Sequence, residues 1–208
     1  AEDLAVTNGT GTGFAGSGAV YSFGVIPAAD GPVTVKIPSG VAEDSARNGN
    51  LPAPELSRVY DATGLLVILE SKATDPTFRS PISVMATFSE PVTGFEAADV
   101  AVTNGTVTGF DGAGVTYTIA ITPSADGPVR VTVPADTVRD AAGNGNLAGG
   151  PLSRIYDGTN LFPVLTSAAP DPTGTSPLPV TVTFSRPVTG FETGDVTVTN
   201  GSVTGFAG

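Results

Sequence analysis

The sequence predicts an all-β chain, and three observations carry that prediction. Apolar residues alternate with Thr or Pro, as in Leu178-Pro179-Val180-Thr181-Val182-Thr183-Phe184, the period expected of a strand with one buried face. Val and Thr dominate such runs, while the 27 Gly and 18 Pro supply turns between them. The chain also repeats itself. AEDLAVTNGTGTGFAG from Ala1 recurs as AADVAVTNGTVTGFDG from Ala97 and as ETGDVTVTNGSVTGFAG from Glu192. Asp3, Asp99 and Asp195 correspond, as do Phe14, Phe110 and Phe206, at a constant offset of about 96 residues. No segment shows the 3.6-residue period of a helix.

One period of the repeat holds seven expected strands. The first two lie near 65–70 and 81–88. A third, near 98–103, leads into Asn104-Gly105 and a fourth near 106–110, and that dipeptide predicts a tight hairpin between them. The fifth, near 115–122, points Val115, Tyr117, Ile119 and Ile121 inward; the sixth, near 128–134, does so with Val129, Val131 and Val133. The last lies near 152–156. Seven short strands at this spacing predict an immunoglobulin-like Greek-key β-sandwich. The Cys and Trp of antibody domains are absent, so the core rests on Phe88, Tyr117, the Val/Ile rows and their repeat equivalents. With the repeat closing at Tyr60-Asp61 and Tyr156-Asp157, residues 62–157 are one whole unit. Residues 1–61 are then the later part of a preceding unit, and residues 158–208 the earlier part of a following one.

Composition excludes several functions. The chain has no His and no Cys, hence no imidazole base, thiol nucleophile, disulfide or Cys/His zinc site. Nucleophile–base pairs and a Trp-lined sugar cleft are also missing, and no enzyme is expected. A net charge of −11 argues against nucleic acid as a partner. No apolar run is long enough to span a membrane, and no signal peptide is visible. The 40% hydrophobic content is enough to offset the ordering entropy of so Gly- and Pro-rich a chain.

The segment FSEPVTGFEAADVAVTNGTVTGF from Phe88, the segment TPSADGPVRVTVPADTVRDAAGNGN from Thr122, and Tyr156-Asp157 resemble the bacterial Ig-like domains of surface proteins. The resemblance covers essentially the whole chain. It departs at Arg186, which stands where Glu90 does, and at DSARNGN from Asp44 in the first copy. Such domains occur in tandem in large adhesins and secreted proteins. The resemblance therefore implies an extracellular, cell-surface location and a spacer, stalk or filament-forming role. A carbohydrate- or receptor-binding adhesin module is the alternative, and an accessory domain of a secreted hydrolase a third.

Two explanations fit the incomplete terminal copies. The chain is a window on a longer array, its neighbours being repeats of the same chain. Or the pieces complete each other between head-to-tail copies, by strand complementation into a filament. Against the second, residues 1–16 and 193–208 are equivalent, which leaves one copy surplus.

The acidic residues fall in loops. In the Ig-like order, one pole of the unit 62–157 collects Asp61, Glu90, Glu96, Asp99, Asp140, Asn144 and Asn146; at the other, Asp75 and Asp126 approach Asp157. Carboxylates with Asn side chains suit Ca²⁺, which takes six to eight oxygens. The metal-ligating candidates are Asp61, Glu90, Asp99, Asp140, Asn144 and Asn146 at one junction, and Asp75 and Asp157 at the other. The competing reading is structural, because Asp and Asn close turns without any ion. The Asp140–Asn146 loop also lacks the alternating ligands of an EF-hand.

Overall fold

A computed structural model describes residues 4–208. Asp3 lies outside the described residues. The chain divides into two compact units that meet between Asp157 and Gly158.

The first unit begins with β1 (Ala5–Thr7), β2 (Gly9–Ser17), β3 (Val20–Pro27), β4 (Gly31–Lys36) and β5 (Leu56–Tyr60). It continues with β6 (Val67–Glu70), β7 (Ile82–Val92), β8 (Ala101–Thr103), β9 (Gly105–Pro123), β10 (Gly127–Val133) and β11 (Gly149–Tyr156). A 3-10 turn at Ala97–Asp99 precedes β8. The second unit has β12 (Pro163–Thr166), β13 (Thr181–Phe184) and a 3-10 turn at Thr193–Asp195.

β9 is assigned as one strand, yet it doubles back on itself. Thr108 Oγ1 lies 2.8 Å from Thr122 Oγ1, whereas a straight strand would hold them roughly 46 Å apart at about 3.3 Å per residue. The turn falls at Gly114-Val115, the counterparts of Gly18-Ala19 between the paired Ser17 and Val20; just before it Gly112, with a φ of 136°, approaches the Thr116 carbonyl oxygen too closely for any Cβ. The two arms correspond to the strands expected near 106–110 and 115–122. The same hairpin is separately resolved as β2 and β3, with Gly9 opposite Pro27.

Strands β6 to β11 form an immunoglobulin-like sandwich. One sheet runs β6-β7-β9, with the early arm of β9 at its edge; the other runs β11-β10-β8. Four arms face three, the arrangement of a constant-type immunoglobulin domain. The alternation works as expected: in β7 the side chains of Ile82, Val84, Ala86 and Phe88 are buried and those between face outward. Val129, Val131 and Val133 of β10 meet them from the opposite sheet. Phe88, Phe95, Phe110 and Tyr117 close one end, with Phe95 4.9 Å from Tyr117 and 5.0 Å from Phe88, both edge-to-face.

Three sequence expectations are corrected. Asn104-Gly105 is not a hairpin: β8 pairs with β10, and β9 belongs to the other sheet. The dipeptide is a corner between sheets. Asn104 takes a φ of 58° and donates its Nδ2 to Ala125 O at 2.9 Å, which ties the corner to the loop opposite. Val115 is 38% exposed because it sits at the tip of the β9 hairpin, beyond the facing sheet. Finally, the copy of β8 and of the early β9 arm in residues 196–208 forms no strand. Those strands pair with equivalents of β10 and late β9, and no such equivalents occur in the second unit.

The flanking copies bury little. β1-β4-β5 is a complete three-stranded sheet and β2-β3 a two-stranded one, yet only Val33 among their hydrophobic residues is buried. In the second unit β12-β13 is likewise two-stranded, with Leu178 and Val180 more than half exposed. A sheet buries a face only against another layer.

Candidate functional site

The site is built around the link between β5 and β6. Asp61 follows the last residue of β5, and its Oδ1 accepts the Thr63 N–H at 3.1 Å in an Asx-turn. From the preceding copy, Asp30 in the β3–β4 loop accepts the Ala62 N–H at 2.9 Å and a short bond from the Thr63 hydroxyl. From the following copy, Asn144 Nδ2 donates to the Asp61 carbonyl at 3.2 Å. Leu65 N donates to Gly145 O, and Leu147 N to Leu65 O. The linker is thus tied on both sides.

Three carboxylates converge there. One oxygen from each of Asp61, Glu90 and Asp140 lies within 4.8 Å of the others. Asp140 is buried and organises its own loop: Oδ1 accepts from Ala142 N and Asn144 N, and Oδ2 from Asn144 Nδ2 at 3.0 Å. Burial alone would raise its pKa, but these bonds, together with one from Gly143 N, outweigh it and hold the carboxyl below its usual range. Glu90 is pushed up, first by the negative charge of Asp61, then by desolvation and by the charges of Asp140 and Asp30. Asp30 is held low by its bonds to Thr63 and Ala62.

The structure therefore gathers Asp61, Glu90, Asp140 and Asn144 from the candidates at this pole. Asp99 is engaged elsewhere: its Oδ2 accepts the Glu96 N–H at 2.9 Å in a capping box over the 3-10 turn. Asn146 is fully buried and turned into its own loop. Its Oδ1 accepts from Thr137 N and Val138 N, and its Nδ2 donates to Pro134 O and Leu147 O. At the other pole, Asp75 accepts the Ile155 N–H at 2.8 Å, and the Asp157 N–H donates to Thr77 O. Among the described residues, the one carboxylate group close enough to share an ion is the Asp61 trio. Sequence reasoning missed Asp30, although the repeat offset marks it as the counterpart of Asp126.

Residues 61–154 match the family model of the bacterial Ig-like domain. No curated protein and no solved structure matches the chain. Ig-like domains of this family occur in bacterial surface proteins and are typically non-enzymatic. Among the described residues no helix is long and apolar enough to cross a membrane.

An open groove of about 1010 Å³ runs along the edge of the Ig-like domain, lined by Lys72, Arg79 and Arg154 among others. Arg154 is committed to the fold through bonds to Ser71 O and Ala73 O. The lining includes no aromatic ring on which a sugar could stack.

Proposed function

We propose that the chain is a structural segment of an extracellular bacterial surface protein, a spacer or stalk of tandem Ig-like repeats in which residues 62–157 are one whole unit, residues 1–61 the later part of a preceding one and residues 158–208 the earlier part of a following one. The observation that carries this reading is the doubly tied linker. Asp30 holds Ala62 and Thr63 from one copy, while Asn144 holds Asp61 from the next. A spacer transmits length only if its joints resist bending, and bonds from both sides supply that resistance.

The same joint can take Ca²⁺ through Asp61, Glu90 and Asp140. Like charges crowd Glu90 there, and a divalent cation would replace repulsion with shared ligation. Nitrogen-15 relaxation tests the joint: residues 4–157 tumble as one body in the native chain and as two in Asp30→Ala/Asn144→Ala. Two bodies in the native chain would overturn the spacer reading. Calorimetric titration with Ca²⁺ should give heat that Glu90→Gln abolishes; no heat would leave the joint held by hydrogen bonds alone.

A further inference from the structure

The groove on the Ig-like domain is walled by the crossover that leaves β6, residues 71–81, and this crossover is pinned to β7 and β11. Ser71 Oγ donates to Ser83 O at 2.6 Å and accepts the Ala73 N–H at 3.2 Å. Arg154 donates Nη2 to Ser71 O and Nε to Ala73 O, so the backbone is held on both sides of Lys72. Buried Thr77 donates its N–H to Ile155 O, accepts the Asp157 N–H on its carbonyl, and takes the Arg79 N–H on Oγ1 at 3.1 Å. The Arg79 guanidinium lies over the Phe78 ring, 5.9 Å from its centroid. Lys72 and Arg79 are exposed, and among the described residues neither forms an ion pair. With Arg154 they set three cations against one carboxylate, Glu70, in a chain of net charge −11. Between them lies an apolar floor, where Met85 faces outward from β7 with Glu70 on one side and Thr118 on the other.

The repeat singles these side chains out. The frame of the crossover recurs one period on: Ser71, Asp75, Pro76, Thr77 and Pro81 correspond to Ser167, Asp171, Pro172, Thr173 and Pro177. The surface it carries does not. Lys72, Phe78, Arg79 and Met85 stand where the third copy has Ala168, Gly174, Thr175 and Thr181. A frame kept while its outward side chains change is the pattern of a site grafted onto a repeat. We propose that this groove binds an acidic peptide in extended form, its carboxylates meeting Lys72 and Arg79 and an apolar side chain resting on Met85. The charge selects an anion. The apolar floor selects a peptide over a polysaccharide, since the lining offers no ring for a sugar to stack on and the neighbouring Phe78 carries Arg79. The pinned crossover lowers the cost of ordering the cations on binding. This inference stands apart from the spacer reading, which an empty groove would leave intact.

Fluorescence polarisation with the full chain and a fluorescein-labelled peptide of alternating Glu and Leu tests the proposal. Binding should saturate, weaken steeply with added salt, and be lost when Gln replaces Glu in the peptide. Lys72→Ala/Arg79→Thr, which writes the third copy's residues into the groove, should weaken binding several-fold with the melting temperature unchanged. Lys36→Ala/Arg130→Ala removes the same charge outside the groove and should leave binding at the native level. Met85→Thr should weaken it several-fold without altering the salt dependence. Absence of peptide binding overturns the proposal, as does equal loss from the two double variants or native binding in Lys72→Ala/Arg79→Thr. Polygalacturonate, a carboxylated glycan, binding the groove more tightly than the peptide overturns it as well.

Discussion

The first copy and the Ig-like domain share a sequence pattern, yet they differ in what their side chains reach. The loops are nearly superimposable in chemistry. Asp44 accepts from Ala46 N, Asn48 N and Asn48 Nδ2 as Asp140 does from Ala142 and Asn144. Asn50 bonds to Val41, Ala42, Pro38 and Leu51 just as Asn146 does to Thr137, Val138, Pro134 and Leu147. Burial is where they part. Tyr117 is 5% exposed within a cluster with Phe88, Phe95 and Phe110, whereas Tyr21 is 54% exposed and stacks only on Phe14 at 5.6 Å. Bonds within about ten residues form from local sequence alone, but a core needs a second layer.

The largest expected difference tests that division. Tyr117→Ala should cost about 3–5 kcal/mol, as deletion of a packed aromatic does. Tyr21→Ala in monomeric chain should stay within about 0.5 kcal/mol, the scale of surface substitutions. Denaturant unfolding measures both, and equal costs would mean that the β2-β3 face is covered in solution. Next comes the loop asparagine. Asn146→Ala leaves the Thr137 and Val138 N–H groups without their partner in a buried site, at about 2–3 kcal/mol, while Asn50→Ala, beside water, should cost about 1 kcal/mol. Hydrogen exchange at Val138 and Ala42 would show whether burial separates the two.

Acid titration distinguishes the carboxylates more finely. Asp44 is held low, first by the Asn48 side chain and backbone, and Asp140 is held low against its burial. Each contributes stability that is full above the ordinary Asp range and lost as pH falls through its lowered value. Glu90 runs the other way. Its raised pKa means its contribution is full below the ordinary Glu range and lost as pH rises through the raised value. Glu90→Gln should therefore raise the melting temperature modestly near neutral pH and leave it unchanged in acid. A loss of stability at neutral pH would show that ionised Glu90 is a partner rather than a strain. The smallest effect belongs to Thr63→Val, which removes one exposed bond to Asp30 and should cost about 0.5–1 kcal/mol in thermal unfolding of the first unit.

Much of this was legible in the residues. The alternation along the late arm of β9 and along β10 named the buried Tyr117, Ile119, Ile121, Val129, Val131 and Val133, because a strand's period of two is a property of the backbone. Asn104-Gly105 announced a positive φ but not its use. A hairpin and a sheet-to-sheet corner both want that conformation, and only the pairing of β8 with β10 chooses between them. The junction was partly legible: Asp61, Glu90 and Asp140 follow from the sandwich order, whereas Asp30 joins them from a loop of the preceding copy.

By itself, then, the sequence determined the strand-type alternation, the turns, the Asx-bonded loops and the repeat, since each depends on residues close along the chain. The tertiary structure decided which faces are buried, which way Asn104-Gly105 turns the chain, and which carboxylates share a joint. Those outcomes depend on an opposing sheet and on loops tens of residues away, and identical local sequence meets them differently in the first copy and in the Ig-like domain.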